Sequence, residues 1–109
     1  MELRHLRYFV AVANEQNFTR AAELLNVAQP PLSRQIRQLE EEIGADLFDR
    51  DSRPVRLTEA GRLLYEHAVP LLAGVDQLRD MMRRFTGHGQ RRFVIGFVGS
   101  ILFGPLPEV

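Results

Sequence analysis

A chain of 109 residues with no cysteine, 45% hydrophobic and 26% charged residues has room for one small globular domain with an appendage, and it excludes a disulfide framework or a thiolate metal site. Fourteen basic and fourteen acidic residues cancel to a formal net charge of zero, and no uninterrupted apolar run is long enough to span a bilayer. The opening Met1-Glu2-Leu3-Arg4-His5 is neither a basic leader nor the start of an apolar run, so a soluble cytoplasmic protein is expected.

Zero net charge argues against a nucleic-acid binder only until it is divided along the chain. Residues 40–49 carry Glu40, Glu41, Glu42, Asp46 and Asp49 with no base, while residues 28–39 carry Arg34 and Arg37 with no acid. Residues 50–57 carry Arg50, Arg53 and Arg56 against Asp51. Two basic patches flank an acidic one, and a phosphate backbone responds to local charge.

Leu3, Leu6, Val10 and Ala13, with Phe9 beside them, recur at helical spacing and predict a first helix over about residues 3–15. Asn14-Glu15-Gln16-Asn17 is a polar break. A shorter helix follows, capped by Asn17 or Thr19, with Phe18, Ala21, Ala22 and Leu25 inward. The small pair Ala21-Ala22 lets a neighbouring helix approach closely.

Asn26-Val27-Ala28 is a tight turn into a third helix. There Leu32, Ile36, Leu39 and Ile43 step by four, three and four along one stripe. Pro30 and Pro31 fit only a first helical turn, where a missing amide has no intrahelical partner, and Gly44 supplies a left-handed residue at the far end. Pro30, Arg34 and Arg37 point away from the stripe, with Ser33 on its flank. A stiff rod presenting Gln, Pro, Ser and Arg at its positive dipole end suits a DNA major groove. Two helices joined by about four residues, the first with small residues and the second with a polar N-terminal face, make a helix-turn-helix.

Leu47-Phe48-Asp49-Arg50 and Pro54-Val55-Arg56-Leu57 read as short extended segments joined by Asp51-Ser52-Arg53, a hairpin of the kind called a wing. Arg53 at its tip, stiffened by Pro54, can reach a minor groove or a phosphate. Arg50 and Arg56 are expected to neutralise the acidic run instead. Thr58-Glu59-Ala60-Gly61 starts a long helix over about 59–86. Its residues Leu64, Ala68, Leu71, Val75, Leu78, Met82 and Phe85 alternate steps of four and three, the seam of a helix with a partner copy. Pro70 predicts a kink within it. Gly87-His88-Gly89-Gln90 reads as a hinge (residues 87–91), and Arg92-Phe93-Val94-Ile95-Gly96-Phe97-Val98 as a buried-type strand opening a further domain over 92–109.

These residues together resemble the N-terminal region of LysR-type transcriptional regulators. Leu3-Arg4-His5-Leu6-Arg7-Tyr8-Phe9, Phe18-Thr19-Arg20-Ala21-Ala22, Ala28-Gln29-Pro30-Pro31-Leu32-Ser33-Arg34-Gln35-Ile36, Leu39-Glu40, Gly44, Leu47-Phe48-Asp49-Arg50 and Leu57-Thr58-Glu59-Ala60-Gly61 carry the likeness. It covers about residues 1–86.

The resemblance implies a mainly α fold: a winged helix-turn-helix (1–58), a dimerisation or linker helix (59–86), and the first strand of a truncated α/β effector-binding domain. It implies a homodimer or homotetramer that binds double-stranded DNA at interrupted palindromes. By position, Gln29, Pro30, Pro31, Ser33 and Arg34 would contact bases; Thr19, Arg20 and Arg37 would contact the backbone; Arg53 and Pro54 would serve the wing. Ala28 departs from the Ser or Thr that many members carry there, which removes a side-chain cap.

The N-terminal run and Ala28-Gln29-Pro30-Pro31 are most similar to members controlling aromatic-compound catabolism, including muconate-responsive ones. That likeness implies a small carboxylate effector held in part by Ser100, RNA polymerase as a further partner, and a bacterial cytoplasm and nucleoid as the setting. No cofactor or metal is implied.

Two other function classes, an enzyme and a protein-contact module, fit the residues less well than DNA binding. His5, His67 and His88 are scattered, and Glu40-Glu41-Glu42 reads as a solvated run, so no catalytic constellation emerges. A winged-helix module for protein contacts would carry apolar anchors where the third helix has Gln29, Ser33 and Arg34.

Overall fold

The computed structural model describes residues 1–96, which form α1 (Leu3–Glu15), α2 (Phe18–Leu25), α3 (Gln29–Ile43), β1 (Phe48–Asp49), β2 (Arg56–Leu57) and α4 (Glu59–Gly96). Each of the first three helices stops on a left-handed residue: Gln16 at φ 55°, Asn26 at φ 61° and Gly44 at φ 86°. At each stop the amide turns back onto the last helical turn, as Gly44 N does onto the Glu40 carbonyl at 2.8 Å. Asn17 begins α2 by accepting from Arg20 N at 2.9 Å. Pro30 and Pro31 occupy the first turn of α3, and Ala28 precedes it without a side-chain cap.

The chain divides into two units, residues 1–73 and the residues from Gly74 onward. In the first, Phe9, Val12, Ala21, Ala22, Leu32, Ile36, Leu39, Leu47 and Phe48 form the core. The ring of Phe48 links α1 to α2, 5.3 Å from Phe9 and 5.6 Å edge-on from Phe18. Ala21 and Ala22 are buried where the helices meet.

The buried positions of α1 differ from the expected stripe. They are His5, Leu6, Phe9 and Val12, while Leu3 is exposed and Val10 and Ala13 are half-buried. The cause is that α1 is covered twice. Phe9 and Val12 enter the main core, and Leu6 enters a second cluster with Ala68 and Leu72 of α4. Ile43, at the last turn of α3, is likewise exposed.

The hairpin is shorter than its extended segments suggested, pairing only Phe48 with Leu57 and Asp49 with Arg56. Its flanking backbone groups find partners elsewhere. Leu47 N and Phe48 N donate to the Glu40 carboxylate, Val55 N donates to the Gln16 carbonyl, and Thr58 N donates to the Leu47 carbonyl. The Arg53–Pro54 peptide at its tip is cis.

Thr58 opens α4 by accepting from Gly61 N at 3.0 Å, and its hydroxyl donates to the Asp46 carbonyl at 2.6 Å. Gly61 is required there, since a Cβ at that position would lie 2.1 Å from the Leu47 carbonyl oxygen. Tyr65 adds a hydrogen bond from its hydroxyl to Asn14 Oδ1 at 2.5 Å.

These contacts correct the expected seam of α4. Leu64 and Ala68 belong to their own domain, packed with Leu6, and Leu72, one residue off the seam, is buried with them. Leu71 is exposed, and in the second unit Val75 is half-buried while Leu78, Met82 and Phe85 are exposed. Helix α4 is assigned continuously through Pro70. It also continues through residues 87–91, expected as a hinge, and through residues 92–96, expected as strand. Among the described residues no strand lies beside that segment to complete a ladder, and helix satisfies its backbone from within. Ser100 lies outside the described residues. No helix among them is long and apolar enough to cross a membrane.

Candidate nucleic-acid interface

The exposed face of α3 is polar because its apolar stripe is used up in the core. Pro30, Pro31, Arg34 and Arg37 are exposed, and Gln29 and Ser33 are half-buried. Gln29 Nε2 donates to Ser33 Oγ at 3.0 Å across one helical turn. That bond orients both side chains before any ligand arrives.

Three elements meet beside this face. The start of α2 (Asn17, Phe18, Thr19), the face of α3 (Gln29, Ser33, Arg37) and the wing (Arg50, Arg53, Pro54, Val55) line a notch of about 450 Å³. Of the residues expected to touch DNA, the fold therefore gathers Thr19, Gln29, Ser33, Arg37, Arg53 and Pro54 into one concavity. Arg20, Pro30, Pro31 and Arg34 are exposed outside its lining.

Arg20, Arg34, Arg37 and Arg53 hold no ion pair among the described residues. Unneutralised guanidiniums in the notch (Arg37, Arg53) and exposed outside its lining (Arg20, Arg34) favour a polyanion. Arg53 is folded onto the wing itself, its Nη1 donating to the Arg50 carbonyl at 2.6 Å and to the Ser52 carbonyl at 3.0 Å. Ser52 Oγ donates to the Pro54 carbonyl at 2.6 Å, which tightens the tip further.

Arg50 behaves as its position predicted. It pairs with the acidic run, Nη1 lying 3.0 Å from Glu40 Oε1. Glu40 itself was missed. Read as part of a solvated triplet, it is buried, 7% exposed, and accepts from Leu47 N, Phe48 N and Arg50 Nη1. The available signal was its spacing, four residues after Ile36 and beside Leu39, which puts it on the edge of the buried stripe. Glu41 and Glu42 are exposed as expected. The Met1 ammonium, 2.5 Å from Glu42 Oε2, holds that carboxyl below the usual carboxylate range by hydrogen bonding and charge.

No cluster of three or more His, Asp or Glu side chains suited to a metal ion occurs among the described residues. The chemistry on offer is recognition: amide, hydroxyl and guanidinium groups on a rigid frame.

Comparison with known proteins agrees with this geometry. Residues 3–62 match the family described as "Bacterial regulatory helix-turn-helix protein, lysR family". The whole chain is 56% identical over 109 residues to the HTH-type transcriptional regulator BenM of Acinetobacter baylyi, and 58% identical over 109 residues to the probable cat1 operon transcriptional activator of Acinetobacter lwoffii. In each case it spans 36% of the relative's length. Among solved structures, the complex of the BenM DNA-binding domain with catB site 1 DNA is similar at a TM-score of 0.77 and 58% identity, over 79% of this chain and 96% of that one.

Proposed function

Because the chain belongs to the lysR family of bacterial regulatory helix-turn-helix proteins, we propose that it is the DNA-reading part of a transcriptional regulator, with α3 in a major groove and the wing over the adjacent backbone or minor groove. In this reading Gln29, Pro30, Pro31, Ser33 and Arg34 contact base edges, and Thr19, Arg20 and Arg37 contact phosphates. Arg53 and Pro54 serve the wing. The single observation that carries the proposal is the notch, where α2, α3 and the wing bring Thr19, Gln29, Ser33, Arg37 and Arg53 together.

A second copy packs along the exposed apolar positions of α4, Leu71, Leu78, Met82 and Phe85, together with half-buried Val75. An apolar row of that kind is unfavourable in water and supports a dimer, or a tetramer of two dimers. The full-length protein acts in the bacterial cytoplasm, associated with the nucleoid. It answers to a small carboxylate through an effector-binding domain, engages RNA polymerase, and regulates genes of aromatic-compound degradation. The likeness to BenM and to the cat1 operon activator supports that placement.

The test is fluorescence anisotropy of the 109-residue chain on the catB site 1 duplex against a shuffled duplex of the same composition, over a salt series. The expected result is a steep fall of affinity with salt together with a clear preference for the catB duplex. Equal affinity for both duplexes refutes sequence reading, and no binding at low salt refutes DNA binding altogether.

A further inference from the structure

Glu40 stands eleven residues along α3 from Gln29, roughly 16 Å away at 1.5 Å per residue, so it belongs to no groove-facing surface. It nonetheless joins the parts that do. Its carboxylate accepts from Leu47 N at 2.8 Å and Phe48 N at 3.4 Å, at the entry to the wing, and from Arg50 Nη1 at 3.1 Å. The Arg50 guanidinium in turn lies 5.3 Å from the centroid of the Phe18 ring, on the first residue of α2. The Arg50 carbonyl accepts from Arg53 Nη1. One ion pair therefore touches all three walls of the notch.

From this arrangement we infer that Glu40 and Arg50 are positioning residues for DNA recognition, an internal strut that holds the wing and the start of α2 against α3 so that Arg53 meets the duplex already in register. The inference rests on the DNA-reading function proposed above. The pair stabilises the fold by satisfying Leu47 N and Phe48 N and by neutralising a buried carboxylate, but it also does more. Among the described residues Arg50 Nη2 is buried without a partner, a cost that an apolar side chain seated on Phe18 would not carry. What the guanidinium contributes is direction: a planar fork fixed by a carboxylate on one side and an aromatic face on another. A wing held in place loses little freedom on binding, whereas a loose one must be ordered at that moment.

The experiment is a double-mutant cycle on the catB site 1 duplex, read by anisotropy, with circular dichroism to establish that each variant is folded. Arg53→Ala is expected to weaken binding at least fivefold in the unaltered chain and less than twofold in a Glu40→Gln background, because an unheld wing has little contact left to lose. Arg34→Ala, on the rigid helix, is expected to cost the same factor in both backgrounds. An equal factor for Arg53→Ala in both backgrounds overturns the strut, as does a factor near one in an unaltered chain that still prefers the duplex. No preference for the catB duplex in the unaltered chain overturns the DNA-reading function, and the strut with it. Should Glu40→Gln fail to fold, Arg50→Lys is put through the same cycle under the same criteria. It keeps a charge opposite Glu40 and removes the planar seat on Phe18.

Discussion

Adding one methyl group at Gly61 is expected to destabilise the domain by about 1.5–4.5 kcal/mol. A Cβ there would sit 2.1 Å from the Leu47 carbonyl oxygen, 2.9 Å from Leu57 Cδ2 and 3.1 Å from the Leu47 carbonyl carbon. The nearest atom is backbone and is held by Thr58 N at 3.0 Å, so it cannot swing aside as a side-chain tip would. Relief requires α4 to back away from the wing. That combines an overpacking cost of about 1–3 kcal/mol with a weakened hydrogen bond of about 0.5–1.5 kcal/mol. For a domain of this size the melting temperature should fall by roughly 6–36 °C.

Gly74 is the control, in the same helix, where an added Cβ meets nothing within 4 Å. Gly74→Ala should stabilise by about 0.5–1 kcal/mol through helix propensity alone. Both variants are read by urea and thermal unfolding followed by circular dichroism. A loss below about 1 kcal/mol for Gly61→Ala would refute the claim that close approach to Leu47 dictates glycine there, on the scale of ordinary overpacking. So would equal effects at the two positions.

Further outcomes are expected on binding, assembly and acid stability. Arg34→Ala should cost about 1–3 kcal/mol on the preferred duplex and relax selectivity at one base pair, whereas Arg37→Ala should weaken all duplexes alike and lower the salt slope by about one. Anisotropy on matched and single-substituted duplexes separates the two, and equal losses on specific and shuffled DNA for Arg34→Ala would refute base reading. Leu78, 53% exposed, is expected to tolerate Asp in the folded chain while the light-scattering mass falls to that of a monomer; an unchanged mass counts against the seam. Glu42 is held below the usual carboxylate range by the Met1 ammonium. Its contribution is therefore present at neutral pH and is lost as pH falls through its lowered value. Glu42→Gln should narrow the gap in melting temperature between neutral and acidic pH, and an unchanged gap would show that the pair contributes nothing.

Much of the frame of the candidate interface was legible because it is local. The prolines at 30 and 31, Gly44 as a stop, Asn17 as a cap and the Leu32-Ile36-Leu39 stripe each act within a turn or two of chain, and the structure has each where local chemistry puts it. Arg50 could be assigned to the acidic run for the same reason, since its partner lies only ten residues away. Glu40 could not. Its spacing from Ile36 puts it at the edge of the buried stripe, but it is the return of Leu47 and Phe48 to the end of α3 that buries it and leaves its two neighbours solvated. Leu64 and Ala68 of the expected α4 seam were hidden from the sequence in the same way. A heptad pattern states that a helix has an apolar side without saying what covers it, and α1 takes Leu64 and Ala68 before any second copy can.

By itself, then, the sequence determined the first three helices and their ends, the start of α4, the polar character of the α3 face and the family likeness, because these follow from backbone sterics, periodicity and side-chain chemistry over short spans. Tertiary structure alone decided which charge is buried, which glycine cannot be replaced, and which residues from α2, α3 and the wing share one notch. Each of these depends on residues from separate elements arriving within a few ångströms of one another, and no local pattern carries that arrangement.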